Sequence, residues 1–414
     1  MNCNKAYRFR LKLRSRQERA LARYAGCCRF LWNQLLALQK TRMDWDEWTL
    51  NFEQLCDVIT NWKTCRYSWL NEPPSQALQQ VARDLAKALK NAFDTKMPQA
   101  FPVFKRKLDC SDSFRIPQGF AWDVEHGTIE IPKLGRLKYI SSSDWEKIEG
   151  LPTEVTISRE GKHWFVSIGV EFEIDPALVH PSKTAAGIDM GVVNFATLSS
   201  GEVFKPLNSF RRTEQKLAAA QQSLSRKVKF SSNWKKQLAV VGGVHRKIAH
   251  CRHDYINKAS TAISKNHAYL VMEDLPVVNM TASAAGTVEE PGVNVAAKAG
   301  LNKSILDQGW GGFRTKLINK EKWRGGKVVL VPPHGTSQEC PICGHREAGN
   351  RKTRDTFCCL KCGYTDDADF VASKNILRRG TPYLPAGTIL LGLQEPFRHE
   401  EPAMESLGAG ISGL

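Results

Sequence analysis

Two groups of residues in this chain have types and spacings suited to chemistry. Cys340-Pro-Ile-Cys343 is followed, after 15 residues, by Cys359-Leu-Lys-Cys362. A CxxC pair closes a tight knuckle that turns two thiolates toward one metal, and two pairs at this separation are the expected form of a tetrahedral four-cysteine zinc site. Gly344 and Gly363, one after each pair, let the chain turn back. Four thiolates leave no open coordination position, so one Zn2+ here is expected to be structural, holding a ribbon too small to bury its own core. Cys358 adjoins the second pair but breaks the CxxC spacing. Arg346, Arg351, Lys352 and Arg354, between the pairs, fit nucleic-acid contacts and a solvated loop equally well.

The second group is acidic. Asp189 lies in Gly187-Ile-Asp-Met-Gly191, Glu273 ends the apolar run Leu270-Val271-Met272, and Asp369 opens a short helix whose Ala372 and Ile376 face inward. A carboxylate on a buried strand is costly unless paired or metal-bound. Sites in open α/β sheets gather at the carboxyl ends of strands, where three such acids could converge. Divalent ions relieve the repulsion among clustered carboxylates. Two Mg2+ ions there would serve phosphodiester hydrolysis. Each acid alone reads as well as a turn former or a cap. Asp274, Asp366 and Asp367 are neighbouring alternatives.

The elements that must position these groups follow from periodicity. Tyr7, Phe9, Leu11 and Leu13 alternate with Arg8, Arg10, Lys12 and Arg14, a half-buried strand with a basic outer face. Ser15 and Glu18 match a capping box, and apolar residues from Leu21 to Leu36 continue at helical spacing. A second helix is predicted from Ser75 to Phe93, so residues 15–99 read as a helical module. Residues 102–107, 131–139 and 155–170 read as strands, the last a hairpin turning near Glu160-Gly161. Residues 185–201 give two short strands around Gly191, and 268–275 and 327–333 give one each. Residues 208–265 read as two basic helices broken near Gly242-Gly243, 281–300 as a mobile loop, and 381–414 as a disordered tail.

Lys and Arg number 59 against 42 acids, a net charge of +17, which points to a polyanionic partner. The charge is clustered: residues 1–16 hold six basic residues and no acid, and residues 205–253 hold twelve with Glu214 the one acid. Arg8, Arg10, Lys12, Arg14, Lys105, Lys107, Arg226, Lys227, Lys235, Lys236, Arg246, Lys247 and Arg252 are the candidate nucleic-acid contacts. Trp164, Trp310 and Trp323 suit core packing better than base stacking, and His245, His250 and His253 suit a phosphate-facing or solvated surface. No long apolar run argues for a membrane span, and the N-terminus lacks the apolar region of a secretory signal. Cys3, Cys27, Cys28, Cys56, Cys65, Cys110, Cys251 and Cys358 therefore read as reduced thiols of a cytoplasmic protein.

In combination these motifs resemble a known family. Residues 187–201, Val271 to Leu275, Thr336 to Gly344 and Cys362 to Leu377 are similar, in that order, to the RuvC-type motifs and zinc ribbon of TnpB, a transposon-encoded family related to miniature type V CRISPR nucleases. Residues 101–107, 131–135, 252–260 and 300–313 extend the likeness over most of residues 5–380. The resemblance implies a multidomain α/β protein. Residues 1–14 and 100–182 would form a small β-barrel-like wedge domain, with 15–99 inserted as a recognition lobe. Residues 183–335 and 364–380 would form an RNase H-like (RuvC) core, with the ribbon at 336–363. It further implies Asp189, Glu273 and Asp369 as the metal-binding catalytic acids and Cys340, Cys343, Cys359 and Cys362 as zinc ligands. The implied partners are a guide RNA from the transposon end and double-stranded target DNA, on a monomer in a prokaryotic, nucleoid-associated setting. The implied activity is RNA-guided cleavage of both strands beside a short recognised motif. A guided binder that does not cut, a transposase acting without RNA and a type V CRISPR effector are the alternatives. Two positions depart from the family: Val371 stands where Asn is usual, and Met190 where Leu is preferred.

Overall fold

A computed structural model of the chain describes residues 2–96, 99–107, 112–140, 150–175, 177–287 and 289–393. The chain divides into two compact units, Met1–Pro176 and Ala177–Leu414.

In the first unit β1 (Asn2–Lys12) carries the alternation read from the sequence, with Cys3 and Leu11 buried and Arg8, Arg10 and Lys12 exposed. Three helices follow, α1 (Ser15–Asp44), α2 (Phe52–Cys65) and α3 (Ser75–Ala92), and then strands β2 (Ser113–Ile116), β3 (Ala121–Asp123), β4 (Thr128–Ile131), β5 (Gly135–Ile140), β6 (Leu151–Glu160) and β7 (His163–Glu173). The strands form an antiparallel sheet in the order β2-β6-β7-β1-β5-β4-β3, a path that does not close on itself among the described residues. Leu21, Leu31 and Leu35 of α1, Leu78 and Leu85 of α3, and Val155, Val166 and Ile168 of the sheet share one core. Trp164 is buried in it. Gly161, at φ 63°, turns β6 into β7, so that hairpin lies where the sequence puts it.

Two expectations in this unit are corrected. The first turn of α1 is closed by Gln17, whose carboxamide oxygen accepts from the backbone N–H of Arg14, one residue before the predicted Ser15–Glu18 box. Residues 102–107 join no sheet: Trp32 donates to the carbonyl of Val103, and Asn33 holds both backbone groups of Lys105, so this segment is captured by α1. α2 was not marked by apolar spacing; it is capped by Asn51, which accepts from Gln54 N at 3.0 Å, and buries Leu55 and Ile59.

The second unit centres on a sheet of β8 (Thr184–Asp189), β9 (Ala196–Leu198), β10 (Val203–Phe204), β11 (Tyr269–Glu273) and β12 (Lys327–Val331), in the order β10-β9-β8-β11-β12. β8, β11 and β12 run parallel; β8, β9 and β10 form an antiparallel meander. Between β10 and β11 lie α4 (Ser209–Ser225) and α5 (Ser232–Asn266), and between β11 and β12 lie α6 (Val277–Met280), α7 (Val295–Gln308) and α8 (Trp310–Arg324). Ile256 and Ile263 of α5 and Phe313 and Leu317 of α8 pack on Ala186, Ile188, Leu270 and Met272, with Trp310 buried among them. The alternate strand residues, Ala185, Val271, Val329 and Val331, pack on Ile376 and Leu377 of α9 (Ala368–Gly380). The period-two side-chain alternation of buried strands thus clothes both faces of the sheet. Before α9 a two-stranded ribbon pairs β13 (Thr356–Cys358) with β14 (Thr365–Asp367), carrying the ribbon to Asp367, past the boundary expected at 363.

Here too the structure revises the sequence reading. α5 runs unbroken through Gly242-Gly243, because Val241, Val244 and Ile248 bury on Leu217 and Ala220 of α4; the break lies instead at residues 226–231. α7 begins at Val295, inside the predicted loop, and Asn302 ties it to the carbonyls of Thr281 and Ala282. Residues 381–393, within the expected disordered tail, are ordered: β15 (Ile389–Leu390) pairs in parallel with Thr184 and Ala185 of β8, on the part of that strand β9 leaves open. Residues 394–414 and Cys110 lie outside the described residues. Among the described residues no helix is long and apolar enough to cross a membrane.

Candidate active site

The site is assembled by backbone packing. β8 and β11 are adjacent and parallel with Ile188 opposite Met272, which puts Asp189 and Glu273 level at the carboxyl edge of the sheet. Gly187 lets α9 rest directly on β8: a Cβ there would lie 2.1 Å from the carbonyl oxygen of Ser373 and 2.7 Å from the nitrogen of Leu377. Asp369 is one helical turn before Ser373, so the helix start carries it to the same edge. Asp367 caps this helix, accepting from the backbone N–H groups of Asp369 and Phe370 at 3.0 and 3.1 Å.

Asp189 feels the other two carboxylates. Asp189 is pushed up to about 8, first by burial and then by the charges of Glu273 and Asp369, with Arg351 opposing. Burial also raises Glu273; the hydroxyl of Thr336, donating to its Oε1 at 2.6 Å, and Arg379 pull it back. Asp369 Oδ2 accepts from Asn194 Nδ2 at 3.0 Å, and Asn194 Oδ1 accepts from Lys205 Nζ at 2.9 Å. Arg351 Nη2 lies 3.7 Å from Asp369 Oδ1. Thr336 is held by Asn375, whose amide donates to the carbonyls of Thr336 and Glu339 at 2.8 and 2.7 Å. A carboxyl group raised by burial and by two neighbouring carboxylates, in a partly enclosed site, belongs to a donor set suited to divalent cations.

The neighbouring acids have other partners. Asp274 pairs with Arg314 at 2.6 Å, Asp366 takes Tyr364 at 2.5 Å and Lys374 at 3.0 Å, and Asp367 is spent on the helix cap. Asn194 and Thr336 escape sequence reading because short polar side chains in loops carry no periodic signal, and Asn375 because a lone amide within α9 gives no sign of its partners.

The four cysteines form a separate cluster. Among the described residues they are the one group of His, Cys, Asp and Glu whose ligand atoms all lie within 4.8 Å of one another. Cys340 and Cys362 Sγ are 3.6 Å apart, and Cys343 and Cys359 Sγ 3.5 Å. These separations exceed a disulfide bond and approach the edge of about 3.8 Å of a tetrahedron with Zn–S near 2.3 Å. Gly344 and Gly363, at φ 70° and 74°, close the knuckles by donating to the carbonyls of Cys340 and Cys359. Cys358 sits on β13, outside the cluster.

Comparison with known proteins bears on the whole chain. A family model described as "Probable transposase" matches residues 167–284, one described as the Cas12f1-like TNB domain matches 310–376, and one described as a helix-turn-helix domain matches 1–44. The "Putative RNA-guided DNA endonuclease InsQ" of Escherichia coli K12 is 44% identical over 400 residues, covering 96% of this chain and 98% of its own. The chain belongs to the TnpB family. A second relative, a "Putative RNA-guided DNA endonuclease" of Streptomyces pristinaespiralis, is 31% identical over 91% of this chain and 89% of its own. A solved Cas12f1–sgRNA–target DNA complex covers 91% of this chain at 14% identity with a TM-score of 0.48.

Two details of this TnpB-family chain stand apart from those labels. Residues 2–44 hold a strand and one long helix, with no second helix to make a helix-turn-helix. Val371 is fully buried in the ribbon core with Phe357, Cys340 and Cys359, and the amide donor to Asp369 comes from Asn194. The basic candidates also divide. Arg10, Lys12, Arg14, Lys107, Arg226, Lys235, Lys236 and Lys247 are exposed, and Lys227 and Arg246 are half-buried. Arg8 is engaged by Glu160 at 2.8 Å and the Phe165 ring, Lys105 lies over Trp32 at 3.7 Å, and Arg252 donates to the carbonyl of Leu306.

Proposed function

We propose that this TnpB-family chain is an RNA-guided DNA endonuclease whose cutting site is Asp189, Glu273 and Asp369. The observation that carries the reading is the meeting of these three acids at one sheet edge, with Asp189 raised by burial and by the charges of the other two. The strand order, an antiparallel meander followed by two parallel strands, is what an RNase H-like core requires, and it supports that assignment. The names of the E. coli and Streptomyces relatives support the guide RNA and the DNA target.

In this reading Asp189, Glu273 and Asp369 hold divalent cations, with Mg2+ the expected ion. Such ions, when bound, supply Lewis acidity for phosphodiester hydrolysis. The chain's own residues hold the ligands in place. Asn194 orients Asp369 while Lys205 holds the amide, and Thr336 fixes Oε1 of Glu273. Cys340, Cys343, Cys359 and Cys362 bind one zinc ion that builds the ribbon under the first turn of α9.

The test is cleavage by the full chain purified with the RNA transcribed beside its gene, on plasmids carrying a matched target beside randomised flanking sequence. Cleavage of the matched plasmid in Mg2+, lost in EDTA and in Asp189→Ala while binding is retained, is the expected result. Binding without cleavage by the unaltered complex would make the chain a guided binder, and absence of co-purifying RNA would return the transposase alternative.

A further inference from the structure

The hairpin of α4 and α5 carries a feature that the proposed cutting site does not use. Ile256, Ala259 and Ile263 of α5 pack on the sheet, whereas Val241, Val244 and Ile248 pack on α4. Tyr255 marks the acid-bearing edge: its ring lies 5.1 Å from that of Phe195, next to the Asn194 that donates to Asp369. Since α5 ends at Asn266 and β11 turns back from Tyr269, the earlier part of the helix runs out past that edge. The stretch from Tyr255 back to Ser232 makes an arm roughly 35 Å long at about 1.5 Å per residue.

The arm ends in an unusual tip. Phe230 sits at φ 70°, a left-handed conformation that bulky side chains avoid, and its side chain is 56% exposed. A glycine would close this turn without strain, and a polar residue would suit the solvent. Trp234 lies 5.4 Å from the Phe230 ring, and Lys229 Nζ stands 5.4 Å over it. Arg226, Lys227, Lys229, Lys235 and Lys236 lie within a few residues of the pair in sequence, and no acid occurs between Glu214 and Asp254. Cations set around an exposed ring suit unpaired nucleic acid, because the cations neutralise phosphates while a base stacks on the ring. Bases in a duplex already have both faces stacked, so the ring favours a single strand.

We propose that the tip of this arm binds an unpaired segment of the DNA strand delivered to Asp189, Glu273 and Asp369, with Phe230 stacked on a base and Lys229, Lys235 and Lys236 on adjoining phosphates. The choice of DNA over RNA rests on the endonuclease reading above. The stacking does not.

Two measurements test it. First, fluorescence anisotropy follows the full chain binding labelled oligo(dT) and a DNA duplex of the same length. Phe230→Ala should weaken oligo(dT) binding about tenfold with an unchanged salt slope, and Phe230→Trp should restore it. Lys235→Ala with Lys236→Ala should lower the salt slope by about 1.4. Melting temperatures equal to the parent's show that the variants are folded. Oligo(dT) affinity untouched by Phe230→Ala, or duplex affinity reduced as much, overturns the stacking role. Second, the guide-loaded complex is irradiated with 5-iodouracil placed in either DNA strand or in the RNA. A DNA crosslink lost in Phe230→Ala is expected; a Phe230-dependent crosslink to RNA, or none to DNA, overturns the assignment. Plasmid cleavage by the same unaltered complex judges the endonuclease reading separately, so either idea can fail while the other stands.

Discussion

At the scale of single residues, the hydrogen bonds around the carboxylates make the sharpest predictions. Thr336 lowers Glu273 against the burial that raises it. Thr336→Val keeps the shape and removes the donor, so Glu273 should titrate higher still. A carboxyl group with a raised pKa is ionised only at higher pH, so the acid limb of the cleavage profile should move up. Single-turnover cleavage is expected to fall about tenfold near neutrality and recover as pH rises. A loss equal at every pH would sink this account. Glu321 makes a prediction about stability. It is fully buried, neither carboxylate oxygen has a hydrogen bond, and burial pushes it up to about 8 against the opposing charge of Arg324. The folded state therefore favours the neutral acid. Its contribution is complete below the ordinary value of 4.5 and is lost progressively as pH rises toward 8. Glu321→Gln should flatten that decline and exceed the parent's stability on the alkaline side by on the order of 2 kcal/mol. Thermal melts across this pH range would show it; parallel curves for the two proteins would refute it.

At the scale of elements, α9 is the part on which the proposed site depends. Its later turns lie on β8 through Gly187, and its first turn lies in the ribbon core, where Ala368 and Val371 meet Phe357, Cys340 and Cys359. Arg378 and Arg379 both grip Glu339, fastening the same helix to the start of the ribbon. A methyl group at Gly187 would meet backbone atoms of α9, which no rotamer change relieves. Gly187→Ala should cost about 1–3 kcal/mol of stability. It should abolish cleavage even where the protein remains folded, because Asp369 moves with the helix. Full activity in that variant, measured beside its melting curve, would show that the close approach is dispensable. The ribbon acts on the same helix from the other end. Removing zinc with a thiol-competent chelator should release amide protection in the first turn of α9 and slow cleavage, with recovery on adding zinc and none on adding Mg2+ alone. Hydrogen exchange unchanged in residues 368–373 would mean that the ribbon does not position Asp369.

At the scale of the whole molecule, what was readable in the sequence was what periodicity or fixed spacing encodes. The alternation from Tyr7 to Lys12, the glycines around Asp189 and the two CxxC pairs each have a local cause, and each reappears as β1, the close contact with α9 and the thiol cluster. What tertiary contacts decide was not readable. Gly242-Gly243 stays helical because α4 covers its neighbours, β15 forms because one half of β8 is open, and Asn194 becomes a partner of Asp369 only once β8 and α9 are packed. The same distinction divides the basic residues, which in sequence look equivalent. With a net charge of +17, affinity for nucleic acid should fall steeply with salt, each phosphate contact adding about 0.7–0.9 to the logarithmic slope. Exposed Lys235, Lys236 and Lys247 should each remove that share when changed to Ala, with no change in melting temperature. Arg8 and Arg252 are already engaged by Glu160 and by the carbonyl of Leu306. Their alanine variants should leave the slope nearly intact and lower stability instead, since each removes a contact that holds local structure. Anisotropy titrations at several salt concentrations, paired with melts, separate the two sets. If Arg8→Ala and Arg252→Ala lower the slope as much as the exposed lysines do, those pairs exchange for phosphate on binding and the division by intramolecular partner is wrong.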